Sequence, residues 1–102
     1  MPSIRLVNFL NGLRRLPPLS RLTGDEERML FELRELWEEN GSLSVSDVYE
    51  LFSNQSASTS YRQLMALKSK GLLSVEVAEG DRRMRDVTFT REAEHLFKAL
   101  SN

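Results

Sequence analysis

The feature that most constrains this fold is a helix pattern that runs directly into a hairpin pattern. The helix pattern opens at Ser56, a residue type that caps helix N-termini, and stops at Gly71, which can adopt the left-handed conformation that ends helices. Two runs of alternating apolar and polar residues follow, separated by the turn-forming sequence Glu79-Gly80-Asp81. The pattern therefore predicts a helix over residues 56–70 and a β-hairpin over residues 74–89.

Both predicted elements carry residue types that bind nucleic acid. Small hydroxyl groups on the exposed helix face can hydrogen-bond phosphates, and Tyr61 and Arg62 can reach base edges in the major groove. Arginines at the hairpin tip could reach a phosphate backbone or a narrow minor groove, and residues 55–75 include no acid. We therefore interpret the segment as a winged-helix DNA reader. Its candidate DNA contacts are Ser56, Ser58, Thr59, Tyr61, Arg62, Lys68, Arg82, Arg83 and Arg85.

The same residues also have a purely structural interpretation. Any solvated helix face looks polar, so Arg62, Lys68 and Lys70 could simply balance an acidic neighbour. The hairpin arginines could likewise pair with Glu79, Asp81 and Asp86. Both interpretations can hold together, because an acid can hold an arginine in a pose that faces DNA. We assign this orienting role to Asp81.

The hairpin also resembles part of a known family. The wing signature of the multiple-antibiotic-resistance regulator (MarR) family is usually Asp-x-Arg, three residues, Val, one residue and Leu-Thr. It resembles the spacing Asp81-x-Arg83-x-x-x-Val87-x-Phe89-Thr90. The preceding helix is similar to that family's recognition helix, although Ser60 and Gln63 stand where apolar residues are more usual. The matching helix positions are Ser56, Ala57, Ser58, Thr59, Arg62, Leu67 and Gly71.

The resemblance covers about residues 6–93 and implies a fold. It implies a mainly helical α+β protein, a winged helix-turn-helix flanked by N- and C-terminal helices. Residues 43–46 resemble the family's short strand, which implies a three-element β-sheet that includes the two-stranded wing. We expect residues 21–90 to form the DNA-binding domain. Residues 1–20 and 91–102 would each supply a helix for dimerisation.

Local signals predict the other helices. Thr23 and Glu26 form a capping-box pattern that opens a helix to about Glu39, and Ser44 with Asp47 opens a shorter one. Apolar residues also recur at helical spacing ahead of the two consecutive prolines, and a last helix pattern follows the hairpin. The predicted order therefore places a helix, a turn and the recognition helix immediately before the hairpin.

Charge is segregated along the chain, although the net charge is only −1. Residues 1–22 carry four arginines and no acid, and residues 23–54 carry nine acids against two arginines. Residues 55–102 carry eight basic and six acidic side chains. If the fold separates the recognition helix from the acidic helix, the protein can present a basic surface to DNA although its net charge is close to zero.

The composition includes few of the residues and motifs that enzymes use for catalysis. The chain has no cysteine and one histidine, and it lacks a phosphate-cradling glycine loop and any metal-ligand spacing. We therefore predict no enzyme activity, no metal and no cofactor. Neither a signal-peptide pattern nor a membrane-spanning run is present in the sequence, so no membrane partner is expected and a cytoplasmic location is the default.

These observations and the resemblance lead to one functional expectation. A homodimer would place two recognition helices in successive major grooves of double-stranded DNA, with each wing at a minor groove. Such a protein regulates transcription, and repression is the commoner role in the resembled family. That family usually continues into a long C-terminal helix that helps to build the dimer and an effector pocket. Because twelve residues follow Thr90, we expect constitutive binding or control by a regulatory protein partner.

The alternative is a winged helix that serves as a protein–protein interaction module without DNA binding, because one fold can host unrelated functions. An acidic docking surface would then carry the function. Its candidate residues are Glu26, Glu27, Glu35, Glu38 and Glu39.

Overall fold

The computed structural model describes residues 4–77 and 85–100, which form a mainly helical α+β fold with one antiparallel hairpin. A short 3-10 turn, Leu19–Arg21, separates the first two helices. In chain order the elements are α1 (Ile4–Arg14), α2 (Gly24–Asn40), α3 (Val45–Leu51), α4 (Ala57–Ser69), β1 (Leu73–Val77), β2 (Arg85–Phe89) and α5 (Arg91–Leu100). No helix among these residues is long and apolar enough to cross a membrane.

Capping boxes start α2 and α3, as the sequence predicts. The Thr23 hydroxyl accepts the Glu26 N–H at 3.2 Å, and the Glu26 carboxylate accepts the Thr23 N–H at 3.0 Å. Ser44 and Asp47 form the same reciprocal pair at 3.2 and 2.8 Å. Each box satisfies two N–H groups that the first helical turn leaves without intrahelical partners. The local residue pattern is therefore sufficient to start both helices.

The helix that carries most candidate DNA contacts, α4, also follows its local signals. The Ser56 hydroxyl accepts the Thr59 N–H at 3.1 Å at the N-terminus. At the other end Gly71 adopts φ +84°, a backbone conformation that residues with a Cβ atom rarely adopt. Leu64 and Leu67 are fully buried on its inner face. The predicted helix is thus confirmed, with its bounds at Ala57–Ser69.

The wing is a two-stranded antiparallel sheet in which Val75 lies opposite Val87. The resemblance implies a third sheet element before α3, but this segment contributes only an isolated bridge from Ser44 to Asp86. The Val87 N–H donates to the Leu43 carbonyl at 2.9 Å. Because the Ser44 N–H is used by the Asp47 carboxylate in the capping box, the chain turns into α3 instead of extending the ladder.

Apolar side chains from α2, α4, β2 and α5 meet in one core. Met29, Leu30 and Leu33 of α2 are fully buried, and Val87 and Ala93 are nearly or fully buried beside them. The stripe of α2 that the sequence indicates as apolar is therefore core. This packing holds α4 and the wing on a common frame.

A cluster of aromatic rings around Arg34 joins α2, β2 and α5. The Arg34 guanidinium carbon lies 4.4 Å from the Trp37 ring centroid, 4.7 Å from that of Phe97 and 5.2 Å from that of Phe89. Trp37 packs edge-on against Phe89, and Phe89 packs edge-on against Phe97. The Glu94 carboxylate accepts from the guanidinium at 2.6 Å. One cation thereby connects three elements that are distant in sequence.

Candidate nucleic-acid interface

The packing register of α4 decides which of its side chains face outwards. Ser60, Leu64 and Leu67 are buried, so the helix turns Ser58 and Arg62, one turn apart, to the opposite side. Both residues are exposed. The outer face therefore carries a hydroxyl and a guanidinium from the candidate set.

Three further candidates lie on the same helix. Tyr61 is 42% exposed, so its ring is accessible to a partner. Thr59 is half-buried, and Lys68 is exposed towards the C-terminal end of the helix. All of these candidates are thus placed on α4 with at least part of the side chain accessible.

Hydroxyl groups converge at the N-terminus of α4. The Ser56 hydroxyl donates to the Thr59 hydroxyl at 2.8 Å and lies 3.2 Å from the Ser58 hydroxyl. Ser56 is therefore committed first to capping the helix. Because Thr59 accepts in this contact, its own hydroxyl hydrogen stays available to an external acceptor such as a phosphate oxygen. The first turn of α4 contains no acid, so the positive end of the helix dipole is not neutralised there.

The cations on and near this face differ in how they are paired. Among residues 4–77 and 85–100, Arg62, Lys68 and Arg85 form no ion pair, and all three are exposed. Lys70, by contrast, lies with its Nζ 2.5 Å from Glu26 Oε1. The purely structural interpretation therefore holds for Lys70 but does not account for the other cations of α4.

The ion pair of Lys70 fixes the C-terminal end of α4. Burial raises the pKa of Glu26, but the hydrogen bond from Lys70, the Thr23 N–H and the Lys70 charge together bring the pKa below its usual value. Arg21 donates to the Lys70 carbonyl at 3.3 Å and also pairs with Glu92. These contacts attach the end of α4 to the starts of α2 and α5.

The wing supplies one described candidate. Arg85 begins β2 opposite Val77, and its side chain is exposed. Asp81, Arg82 and Arg83 lie outside the described residues, so their roles at the wing tip stay predictions.

A polar cluster behind α4 is not foreseen by the sequence pattern. The Gln55 side-chain amide donates to the Ser60 hydroxyl and to the Gln63 side-chain carbonyl, each at 2.9 Å. The only sequence signal is that Ser60 and Gln63 replace the usual apolar residues of the resembled recognition helix.

Most of the acidic residues considered for protein docking are already paired. Glu26 pairs with Lys70, Glu27 with Arg14 at 3.0 Å, and Glu38 with Arg34 at 3.4 Å. Glu35 and Glu39 stay exposed, and neither forms an ion pair with another described residue. Within the described part of the chain, no group of three histidine or acidic side chains is placed to hold a metal ion.

Comparison with known proteins identifies similar folds. No protein-family model matches the sequence, and no curated protein matches it. The structure is similar to that of BpsR from Bordetella bronchiseptica, whose DNA binding is regulated by 6-hydroxynicotinic acid, with a TM-score of 0.59 and 28% identity. That similarity covers 85% of this chain and 59% of BpsR.

Two other solved structures share the fold. A MarR-like transcriptional regulator from Thermotoga maritima, TM0816, has a TM-score of 0.63 at 22% identity, over 100% of this chain and 75% of its own. Heme-free PefR has a TM-score of 0.63 at 16% identity, over 94% of this chain and 83% of its own. The order of helices, the capped α4 and the hairpin behind it agree with these similarities. This chain therefore has the winged-helix fold of MarR-like transcriptional regulators.

Proposed function

We propose that this chain is a sequence-specific regulator of transcription that binds double-stranded DNA as a homodimer in the cytoplasm, most simply as a repressor. Helix α4 enters a major groove, with Ser58, Thr59, Tyr61 and Arg62 making base and phosphate contacts. Ser56 and Lys68 sit at the two ends of this contact.

The wing would lie along the neighbouring minor groove. Arg83 enters that groove or grips its phosphates, and Arg82 and Arg85 contact the backbone. Asp81 orients one of these arginines and does not itself meet DNA.

One observation carries the proposal. Each ion pair among the described residues uses a cation outside the candidate set, namely Arg14, Arg21, Arg28, Arg34 or Lys70. The described candidate cations are exposed and form no ion pair with another described residue, and Arg62 and Lys68 lie on α4, a helix that contains no acid. Such groups can exchange their mobile counterions for phosphates without breaking a contact within the protein.

Dimerisation is proposed from the apolar surface of α1. Phe9 is 50% exposed and Val7 is 42% exposed, although both are large apolar residues. Leu16, just after the helix, is 58% exposed. Packing residues 1–20 together with residues 91–102 against a second copy would bury this surface and fix the spacing of two α4 helices.

The test is fluorescence-anisotropy binding to a randomised duplex pool at low and moderate salt. Arg62→Ala and Arg83→Ala are each expected to weaken binding and to lower the salt slope by about one unit per lost phosphate contact. Arg28→Ala is a matched control, because it removes one exposed arginine from α2, away from the candidate set. Absence of binding by the native chain even at low salt would refute DNA binding.

A second candidate function is docking of a protein partner without DNA. Glu35 and Glu39 favour this possibility, because both are exposed and neither forms an ion pair within residues 4–77 and 85–100. In that case the anisotropy assay would show no duplex binding, and substitutions in α4 would leave partner binding unchanged.

A further inference from the structure

Gln55 connects the two helices of the helix-turn-helix. It lies in the turn between α3 and α4, where its main-chain N–H donates to the Phe52 carbonyl at 3.1 Å. Its side chain crosses to α4, where it contacts Ser60 and Gln63. A single residue is thus bonded to the end of α3 through its backbone and to α4 through its side chain.

Both hydrogens of the Gln55 side-chain amide are used. A carboxamide has two N–H donors in one plane, and here one points to the Ser60 hydroxyl and the other to the Gln63 carbonyl, both at 2.9 Å. Ser60 and Gln63 are three residues apart, so they lie on the same side of α4. Two bonds from one rigid group to one helix side restrain both the rotation and the tilt of that helix.

The Gln55 contacts lie on the inner side of α4, where apolar packing usually positions a helix. Ser60 is only 1% exposed and shares its burial with Leu64 and Leu67. Apolar side chains tolerate alternative packing arrangements with similar energies, whereas a satisfied buried polar cluster accepts only the geometry that keeps its bonds. The polar cluster is therefore a source of orientation that the surrounding leucines do not supply.

The opposite side of α4 carries Ser58, Tyr61 and Arg62. The helix backbone is rigid. If α4 rotates about its axis when the Gln55 contacts are lost, the side chains on its outer face are therefore displaced as well. Recognition of base edges requires side chains held within about half an ångström of the productive geometry. Phosphate contacts are more tolerant, because they carry no sequence information.

We propose that Gln55 is a positioning residue for sequence recognition: its amide clamps Ser60 and Gln63 and thereby sets the orientation of the outer face of α4. This role rests on the proposed DNA-binding function. Gln55 acts through the helix and does not contact DNA.

The experiment begins with the native chain, which is used to select a preferred duplex from a random pool. Affinity is then measured by anisotropy, at one fixed salt concentration, for this duplex and for a scrambled duplex of the same composition. Gln55→Ala, Gln63→Ala and the double variant are compared with Asn54→Ala, an exposed neighbour in the same turn. Circular dichroism confirms that each variant is folded at the assay temperature. If Gln55→Ala does not fold, Gln63→Ala still removes one of the two clamp bonds.

The clamp predicts a loss of specificity that does not follow stability. Each single variant should lower affinity for the selected duplex by about tenfold and change affinity for the scrambled duplex by less than about twofold. The double variant should fall no further than Gln55→Ala, because Gln55→Ala already removes the bond that Gln63→Ala breaks. Asn54→Ala should match the native chain.

Two results would overturn the inference, and they differ from each other. Folded variants that bind both duplexes like the native chain would show that the cluster is only structural, and the proposed DNA-binding function would stand. A native chain that selects no duplex would instead remove the proposed function and the clamp's role with it.

Discussion

The cluster around Arg34 yields a prediction whose size can be worked out from its geometry. The Arg34 side chain is 18% exposed, and its guanidinium lies over Trp37, Phe89 and Phe97. A largely desolvated contact of this kind contributes about 1–2 kcal/mol. The ion pair with half-exposed Glu94 adds less than about 1 kcal/mol. Loss of the packed aliphatic stem adds to these contributions.

We therefore expect Arg34→Ala to lower the free energy of unfolding by about 2–3 kcal/mol, which corresponds to a fall in midpoint temperature of roughly 10–20 °C for a domain of this size. Arg34→Lys keeps the charge but loses the planar group that covers the rings, so it should lose about half as much. Arg28→Ala removes an exposed arginine from the same helix and should change stability by less than about 0.5 kcal/mol.

The assay is urea unfolding at one fixed protein concentration, because dimerisation would make the midpoint concentration-dependent. Trp37 is the only tryptophan of the chain and reports on the cluster directly, while circular dichroism reports on the helices. A loss for Arg34→Ala that equals that for Arg28→Ala would refute the ring contribution. So would a loss that disappears in about 1 M NaCl, where exposed ion pairs are screened but a desolvated ring contact is not.

Three further predictions concern charge, DNA and assembly. Because the folded chain lowers the pKa of Glu26, that residue stabilises the fold at neutral pH, and its contribution disappears as pH falls below about 4.3 and through the lowered value. The difference in unfolding free energy between the native chain and Glu26→Gln should therefore shrink on acidification; a constant difference in pH-dependent urea titrations would contradict this. Arg62→Ala should reduce affinity for a selected duplex by about tenfold or more, and competition anisotropy with single-base variants should show relaxed specificity at one position. Phe9→Glu should convert the proposed dimer to a monomer in sedimentation equilibrium, whereas Asn8→Glu, at the neighbouring exposed position that faces a different side of α1, should leave it unchanged.

The helix starts could be predicted from sequence because their causes are local. A capping box needs only a hydroxyl and an acid three residues apart. The boxes of Thr23 with Glu26 and of Ser44 with Asp47 can therefore be recognised from four consecutive residues each. The left-handed glycine after α4 is equally local. The third strand could not be judged from sequence in the same way. The Ser44 backbone can bond either to Asp47 in its own helix or to the sheet, and which bond forms depends on competition between these partners.

Contacts between distant elements could not be predicted in this way. The Arg34 cluster combines residues of α2, β2 and α5, and no spacing rule relates Arg34 to Phe89 or Phe97. The Gln55 contacts span only eight residues, yet Ser60 and Gln63 look like departures from an apolar pattern until Gln55 is placed between them. Polar residues at apolar positions therefore indicate a partner to search for.

Pairing explains how a chain of net charge −1 can present a cationic face. Four of the seven acids of α2 are matched within the protein by Arg14, Arg28, Arg34 and Lys70, which come from α1, from α2 itself and from the end of α4. The two opposite charges of an ion pair lie only a few ångströms apart. Their electrostatic potentials therefore largely cancel at greater distances. The potential in front of α4 is then set by the exposed cations on that helix and by its dipole, and not by the total charge. Net charge is thus a poor guide to DNA binding in this fold, whereas the pairing state of each cation is directly informative.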